Sequence, residues 1–382
     1  MKILMSSPSL VCPIDLNVKL KEPNLRALNG FLVGMCENLK ALPANTAPCF
    51  RTRTNEILYN AILPLHKLIQ DLKEHFGEEN LALIIGTTTT GVEENYQDLK
   101  KQGLQGYDNR RESLANPALF LSEFLQFKSL TFGVSNACTS GAKAIIEGAR
   151  FIRAGICKVA IVGGVDSINT LTLEGFKSLG ILSDKPSRAF CEDREGINIG
   201  EAAGLFVLIS EKDLNQCKSD IKSEFKVELA GFASNTDAFH ITQPSPDLRI
   251  KKSLLDNVEF ENLDYISAHG TGTKDNDKVE AEFISSFLPH IPASSIKPFI
   301  GHNLAACGAV EAGLCVKLIM QSLKNGEANL PPQIYENIDK NFSKDLNLVP
   351  FGEKKSVESA LSLSFAFGGD NVLLYLRADN EY

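Results

Sequence analysis

Short runs of aliphatic and β-branched residues recur along this chain, each closed by glycine or a polar turn. They read LALIIG (81–86), LTFGVS (130–135), KVAIVGG (158–164), GLFVLIS (204–210), FKVELAGF (225–232), LDYISAHG (263–270), ALSLSFAFGG (360–369) and NVLLYLR (371–377). Several are almost continuously apolar, the pattern of strands covered on both faces. Helical patterns lie between them. After Cys138, apolar residues fall at Ala142, Ile145, Ile146, Ala149 and Ile152, with Gly155 placed to end the helix. Alternating strands and helices predict an α/β fold. Two segments echo each other, SNACTSGAKAIIEGARFI and GHNLAACGAVEAGLCVKLI: a polar start, small residues, then an Ala- and Gly-rich helix. The small residues suit close approach of a helix to a neighbour. The charged stretch SEKDLNQCKSDIKSEFK (210–226) is the candidate seam between two related halves.

Composition narrows the function. The chain has 382 residues, 43% hydrophobic and 23% charged, enough for two or three domains or one large α/β body. A net charge of −8 argues against a generic nucleic-acid or anionic-membrane binder. Nine scattered cysteines without a CxxC pair indicate reduced thiols in a cytoplasmic protein, neither a disulfide framework nor a zinc site. The start, MKILMSSPSLVC, faintly resembles a lipoprotein signal, but its apolar run is short and broken by Ser6, Ser7, Pro8 and Ser9. No apolar run approaches the ~18 residues of a membrane span, so no span is expected.

Four segments carry candidate chemistry. In SNACTSGAK (135–143), Cys138 follows a strand and opens a helix, where first-turn amides and the macrodipole favour a thiolate. Its small neighbours would leave room for a substrate, and a buried packing cysteine is the plainer alternative. SAHGTGTKDND (267–277) places His269 at a strand end, followed by the hydroxyls of Thr271 and Thr273 in a tight loop. A structural histidine in a turn reads equally well. In IKPFIGHNLAACGAVEAG (296–313), His302 precedes a helix, whose N-terminus would keep the imidazole neutral, with Lys297 five residues upstream. In SFAFGGDN (364–371), Gly368 and Gly369 bend the chain and expose amides, either for an oxyanion hole or simply for a hairpin. These histidines and this cysteine lack metal-ligand spacing, and no phosphate-loop lysine accompanies GINIGEAAG.

Taken in order, NACTSGA, HGTGT, IKPFIGHNLAACGAVEAG and SFAFGGDN resemble the β-ketoacyl-acyl-carrier-protein synthases, the elongating condensing enzymes of the thiolase superfamily. GGVDSINTLTLEGFKSLGILS and REGINIGEAAGLFVL look like that family's connecting segments. FRTRTNEILYNAI, GTTTTGVEEN and SNTDAFHITQPSPD are closer to the ketosynthases of aryl-polyene pathways.

The resemblance implies a thiolase-like α/β/α/β/α sandwich of two duplicated halves, residues 1–212 carrying the nucleophile and 213–382 carrying the histidines. It implies an acyltransferase needing no cofactor beyond the phosphopantetheine arm of its substrates. Cys138 would carry the acyl group, and His269 and His302 would promote decarboxylation of malonyl carrier protein. Lys297 would support them electrostatically, with Glu280 as a further acid behind them and Asp277 nearby. Amides of Cys138 and Phe367 would hold the oxyanion, Phe367 doubling as a gate, while Thr271 and Thr273 would bond the phosphopantetheine. Asp370 departs from the threonine the family often carries, which leaves the gate loop's details open. The implied partners are acyl carrier protein and a second subunit, identical or related. Arg51 and Arg53 are candidate carrier contacts. A degradative thiolase would need a second cysteine in the C-terminal glycine loop; Cys307 lies elsewhere and reads as packing. A non-elongating partner subunit or a cysteine hydrolase would also account for parts of the pattern. Such partner subunits typically lack the nucleophile retained here, and a hydrolase has no obvious use for a carbanion-stabilising pair of histidines.

Overall fold

In a computed structural model that describes residues 1–16 and 20–379, the apolar runs become the strands of one large mixed sheet. The strands are β1 (Ile3–Ser6), β2 (Leu81–Gly86), β3 (Leu130–Val134), β4 (Val159–Asp166), β5 (Ala202–Ser210), β6 (Phe225–Thr236), β7 (Tyr265–Ser267), β8 (Ala293–Ser294), β9 (Ser359–Phe365) and β10 (Asp370–Ala378). Their order is β8-β7-β9-β10-β6-β1-β5-β4-β2-β3, with Ser9–Val11 also pairing β5. The order repeats. In β3-β2-β4-β5-β1, the first three strands are parallel and the last two pairings antiparallel. In β8-β7-β9-β10-β6, the same sequence of pairings recurs. Strand β1 joins the two wings through its antiparallel ladder with β6.

The helices explain why the strands are apolar on both faces. Along β2, Ala82 and Ile84 face a central core while Leu81, Leu83 and Ile85 face an outer one. The outer core is closed by α1 (Arg53–Ile62), α2 (His66–Phe76) and α3 (Asn116–Phe124). The central core holds α4 (Ser140–Arg153) and, further along the chain, the long helix Cys307–Asn325. Along β9 and β10, Ala360, Val372 and Leu374 face that same centre, whereas Leu361, Leu363 and Leu373 face a third core. The third core includes Leu254 from helix Leu248–Asp256 and Phe283 and Ile284 from helix Lys274–Phe287. The layers are therefore helix, sheet, helix, sheet, helix, the thiolase-like arrangement expected.

The charged stretch at 210–226, the candidate seam, is a folded connection of two helical turns, anchored by buried Leu214 and Ile221, and then enters β6. One expectation is corrected. The segment Leu304–Asn325 is long and apolar enough to cross a membrane, contrary to the expectation of no such run, yet 83% of its most apolar window is buried in the centre of the fold.

Candidate active site

Cys138 is positioned by a strained turn. After β3, Ala137 adopts φ 46°, a left-handed conformation unusual for a residue with a side chain, and Cys138 follows at the head of α4. The Ser140 hydroxyl fixes the turn, accepting from the Asn136 amide at 2.8 Å and donating to the Ala137 carbonyl at 2.6 Å. The small residues that follow serve helix packing. A Cβ on Gly141 would lie 2.7 Å from the Ala305 carbonyl oxygen, and one on Gly308 would lie 2.6 Å from Ala142 Cβ. The two central helices thus cross at a distance that only glycine and alanine allow; added methyl groups there would cost about 1–3 kcal/mol. Gly141 and Ala142 thus serve the contact with the partner helix, while Cys138 itself borders a cavity.

The sulfur differs from expectation. Burial pushes the Cys138 thiol up to about 12, against the pull of the Lys297 charge and of the Phe367 N–H, which donates to it. Desolvation outweighs these opposing pulls and favours the thiol form of Cys138.

His269 leaves β7 in a loop held by two buried carboxylates. Glu280 accepts from the amides of His269 (2.6 Å) and Gly270 (2.7 Å), and Asp277 from those of Thr271 (3.0 Å) and Phe190 (2.8 Å). Burial pushes Glu280 up to about 8 while those amides pull it down. Lys297 lies 3.2 Å from His269 Nδ1, donates to its carbonyl at 2.6 Å and pairs with Glu311. Burial works to lower the Lys297 pKa, but Glu311 outweighs it and the net shift is upward. Lys297 is therefore an ammonium, and its N–H occupies His269 Nδ1.

His302 is held by the first wing: its amide donates to the Asn198 carbonyl at 2.7 Å, and its carbonyl accepts from Gly200 at 2.9 Å. The segment GINIGEAAG, which offered no chemistry of its own, is this cradle. The Leu304 amide donates to His302 Nδ1 at 3.0 Å. Cys307 is buried, and its sulfur packs 3.5 Å from the same nitrogen. The helix starts at Cys307, five residues after His302, so burial rather than a helix terminus keeps the ring neutral. Burial, then the Lys297 charge, lowers His302 to about 3, and the same causes hold His269 well below the ordinary range. With both Nδ1 atoms engaged by donors, the proton of each neutral ring belongs on Nε2. The rings meet edge-on, centroids 5.6 Å apart.

These groups share a cavity of ≈ 430 Å³ lined by Cys138, His269, His302, Thr271, Thr273 and Phe367, among others. Thr271 and Thr273 hydroxyls are 3.0 Å apart at its wall. In SFAFGGDN, β9 and β10 pair as a hairpin, and its turn brings the Phe367 amide to the Cys138 sulfur. The Phe367 ring stacks on Phe176, centroids 5.8 Å apart, a partner that no sequence signal marked. Glu311 was also missed, although a carboxylate among AVEAGLCV on a central helix is a legible signal. Asp166 is the third. It accepts from Thr87, Thr88 and Thr89 and from the Ala305 amide at 2.8 Å, tying the first wing to the segment after His302.

Arg53 turns toward Glu201 (2.5 Å), Glu56 (2.7 Å) and the Cys36 carbonyl (2.7 Å), with its side chain 28% exposed. Arg51 binds the chain's own Ala44 and Thr46 carbonyls. Among the described residues, no cluster of His, Cys, Asp and Glu could hold a metal.

The neutral histidines give a pH dependence with a definite sign. In the unfolded chain each takes up a proton near pH ~6.5, and the native state does not. Below that pH the unfolded state binds more protons, so stability falls as pH falls, for His302 down to about 3. Glu280, pushed up to about 8, and Glu311, pushed up to about 7, act in the opposite sense over the same range, so the histidine contribution is read by difference. Between pH 7.5 and pH 5, His302→Gln should change the slope of stability in urea against pH by up to one proton, ~1.4 kcal/mol per pH unit, in the direction of greater relative stability at low pH; an unchanged slope would show that His302 is not buried neutral.

Comparison with known proteins agrees with this geometry. Residues 55–214 match the model "Beta-ketoacyl synthase, N-terminal domain" and residues 227–330 the corresponding C-terminal domain. A putative mitochondrial 3-oxoacyl-[acyl-carrier-protein] synthase of Schizosaccharomyces pombe is 34% identical over 286 residues, 68% of this chain and 64% of that protein. A 3-oxoacyl-[acyl-carrier-protein] synthase 2 of Synechocystis sp. is 36% identical over 63% of this chain and 60% of its own. The chain thus spans less than two thirds of the length of these relatives. The ketosynthase ApeO of Xenorhabdus doucetiae, solved in complex with its chain length factor ApeC, superimposes with a TM-score of 0.87 at 30% identity, covering 99% of this chain and 98% of that one. With both halves of the family model matched in order on a thiolase-like fold, this chain belongs to the beta-ketoacyl synthase family.

Proposed function

We propose that the protein is a 3-oxoacyl-[acyl-carrier-protein] synthase that extends an acyl chain by decarboxylative Claisen condensation with malonyl carrier protein. The observation that carries this reading is the pair of neutral imidazoles, Nδ1 of each occupied by a donor, sharing one cavity with Cys138. Two N–H donors of low basicity suit a developing enolate and would be poor general bases.

In the first half-reaction the Cys138 sulfur attacks the acyl thioester, and the amides of Cys138 and Phe367 receive the oxyanion. The acyl–sulfur bond to phosphopantetheine breaks, and the thiol proton of Cys138 ends on the departing sulfur. Malonyl carrier protein then enters along Thr271 and Thr273. Its carboxylate leaves as CO₂, and the electrons remaining become an enolate hydrogen-bonded by Nε2–H of His269 and His302. The enolate carbon attacks the Cys138 thioester; the new C–C bond forms, the C–S bond breaks, and the sulfur regains a proton from solvent. Lys297 keeps the His269 proton on Nε2, and Glu280 fixes that histidine's backbone. No cofactor takes part. One neutral donor removed from such a site typically costs ~3 kcal/mol, a hundredfold or more.

In this reading the chain divides into halves 1–212 and 213–382, supported by the repeated strand order. The protein is cytoplasmic, in keeping with nine free cysteines. Its partners are acyl carrier protein and a second subunit across the β3 edge, where Leu130 is 41% exposed and one side of the strand carries no sheet partner among the described residues. The second subunit is a copy of this chain or a related ketosynthase-like protein.

The test offers acyl carrier-protein thioesters of fatty and aryl-enoyl type, then malonyl carrier protein. An acyl mass on Cys138, CO₂ release and a dimeric preparation are expected, and the chain type extended assigns the pathway to fatty-acid or aryl-polyene synthesis. Absence of both adduct and CO₂ would overturn the reading. Thiolysis of a 3-oxoacyl thioester without CO₂ chemistry would favour a degradative thiolase instead.

A further inference from the structure

The turn that carries Phe367 is fastened to the helix that carries the nucleophile. Asp370 directly follows Gly368 (φ 84°) and Gly369 (φ 76°), the two left-handed residues on which the turn bends. Its carboxylate, 7% exposed, pairs through Oδ1 with Lys143 Nζ at 2.8 Å. The other oxygen accepts from the Thr139 hydroxyl at 2.6 Å. Thr139 is the residue after Cys138, and Lys143 stands one helical turn further on. The Ala366 amide donates to the Asp370 carbonyl at 2.8 Å, closing the turn on itself. On its far side the turn is held by Gly368 N–H to the Ile241 carbonyl (2.8 Å), by Asp237 N–H and the Asn371 side-chain amide to the Gly369 carbonyl (2.7 and 3.1 Å), and by a longer contact of the Thr236 hydroxyl with Asp370 Oδ1 (3.4 Å), none of which carries a cation.

This arrangement bears on the oxyanion hole. Its two donors, the amides of Cys138 and Phe367, come from distant parts of the chain, and their separation must be kept within a fraction of an ångström. Hydrogen bonds to glycines that can swing through wide φ ranges do not fix such a distance. A charged pair between a largely buried carboxylate and the first turn of α4 does, because breaking it strands the carboxylate without its cation.

We propose that Lys143 and Asp370 form a positioning clamp that holds the Phe367 amide at Cys138, so that acyl transfer to the sulfur depends on the clamp while malonyl decarboxylation does not. The distinction follows from geometry: decarboxylation uses His269 and His302, neither of which touches this turn's carboxylate. The inference rests on the condensing activity proposed above.

Acyl transfer to Cys138 and CO₂ release from malonyl carrier protein are measured on the wild type, Lys143→Met, Lys143→Arg and Asp370→Asn. Lys143→Met is expected to lower kcat for acyl transfer about tenfold with KM within about twofold, as a misplaced rather than missing donor would. CO₂ release should change less than about twofold, and Lys143→Arg, which keeps the ion pair, should recover most of the acyl transfer. Asp370→Asn should match Lys143→Met and supplies the result if that variant does not fold. Equal losses in both reactions, or acyl transfer at the wild-type rate in the folded variants, would overturn the clamp. A wild type that neither acylates nor releases CO₂ would instead overturn the condensing reading, and the clamp with it.

Discussion

Cys138→Ala is expected to abolish condensation, by at least ~10³-fold, and to leave no acyl mass on the protein. The Cys138 sulfur is the group proposed to carry the acyl chain, and alanine removes it without touching the two imidazoles. Cys138→Gln should separate the steps further. Its amide fills the space of a bound acyl group, while His269 and His302 keep their Nε2 protons, so malonyl carrier protein should still lose CO₂. Condensation surviving in Cys138→Ala would overturn the nucleophile. Loss of CO₂ release in a folded Cys138→Gln would overturn the division of labour. The result also separates a condensing enzyme from a hydrolase, for which an enolate-stabilising pair has no use.

The second large effect concerns Lys297. Its ammonium meets His269 Nδ1 at 3.2 Å, the His269 carbonyl at 2.6 Å and the Glu311 carboxylate, all buried. Lys297→Met leaves Glu311 without a cation in the centre of the fold, and Glu311 Oε2 already lacks a hydrogen bond. Breaking such a pair costs about 3–5 kcal/mol. It also frees His269 Nδ1 to carry the proton, which takes the donor away from the enolate and should cut CO₂ release about a hundredfold. Adding Glu311→Leu tests the two effects apart. The double variant should recover much of the lost stability in urea, since neither member of the buried pair is left without its partner, yet CO₂ release should stay low. Recovery of both would mean that Lys297 matters only as a counter-ion; recovery of neither would mean that Glu311 has a second role.

How much was legible beforehand varies from element to element. LALIIG, KVAIVGG and NVLLYLR read as doubly covered strands and are so, because β2, β4 and β10 each feed alternate residues into two different cores. The helix expected from Ala142 to Ile152, stopped at Gly155, runs over Ser140–Arg153, with Gly155 left-handed just beyond it. The candidate residues Cys138, His269, His302, Thr271, Thr273 and Phe367 line one cavity. Legibility ended where an effect depends on what surrounds a group. The Cys138 thiol was expected to be lowered by its helix and is raised by burial. Arg53 read as a surface cation and lies against Glu201. Phe176 and Asp166 carry no local mark, since each acts only through a partner far along the chain.

By itself, the sequence determined the strands, the central helices and the candidate side chains that share one cavity, because periodicity and turn chemistry are local properties of neighbouring residues. Only the tertiary structure decided the protonation and reach of those side chains. Burial between the wings lowers the His302 pKa, the Leu304 amide donates to its Nδ1, and Asp370, at the end of the Phe367 turn, pairs with Lys143 on the helix after Cys138. Desolvation and hydrogen-bond partnership depend on which distant segments come together, and no short stretch of chain contains that information.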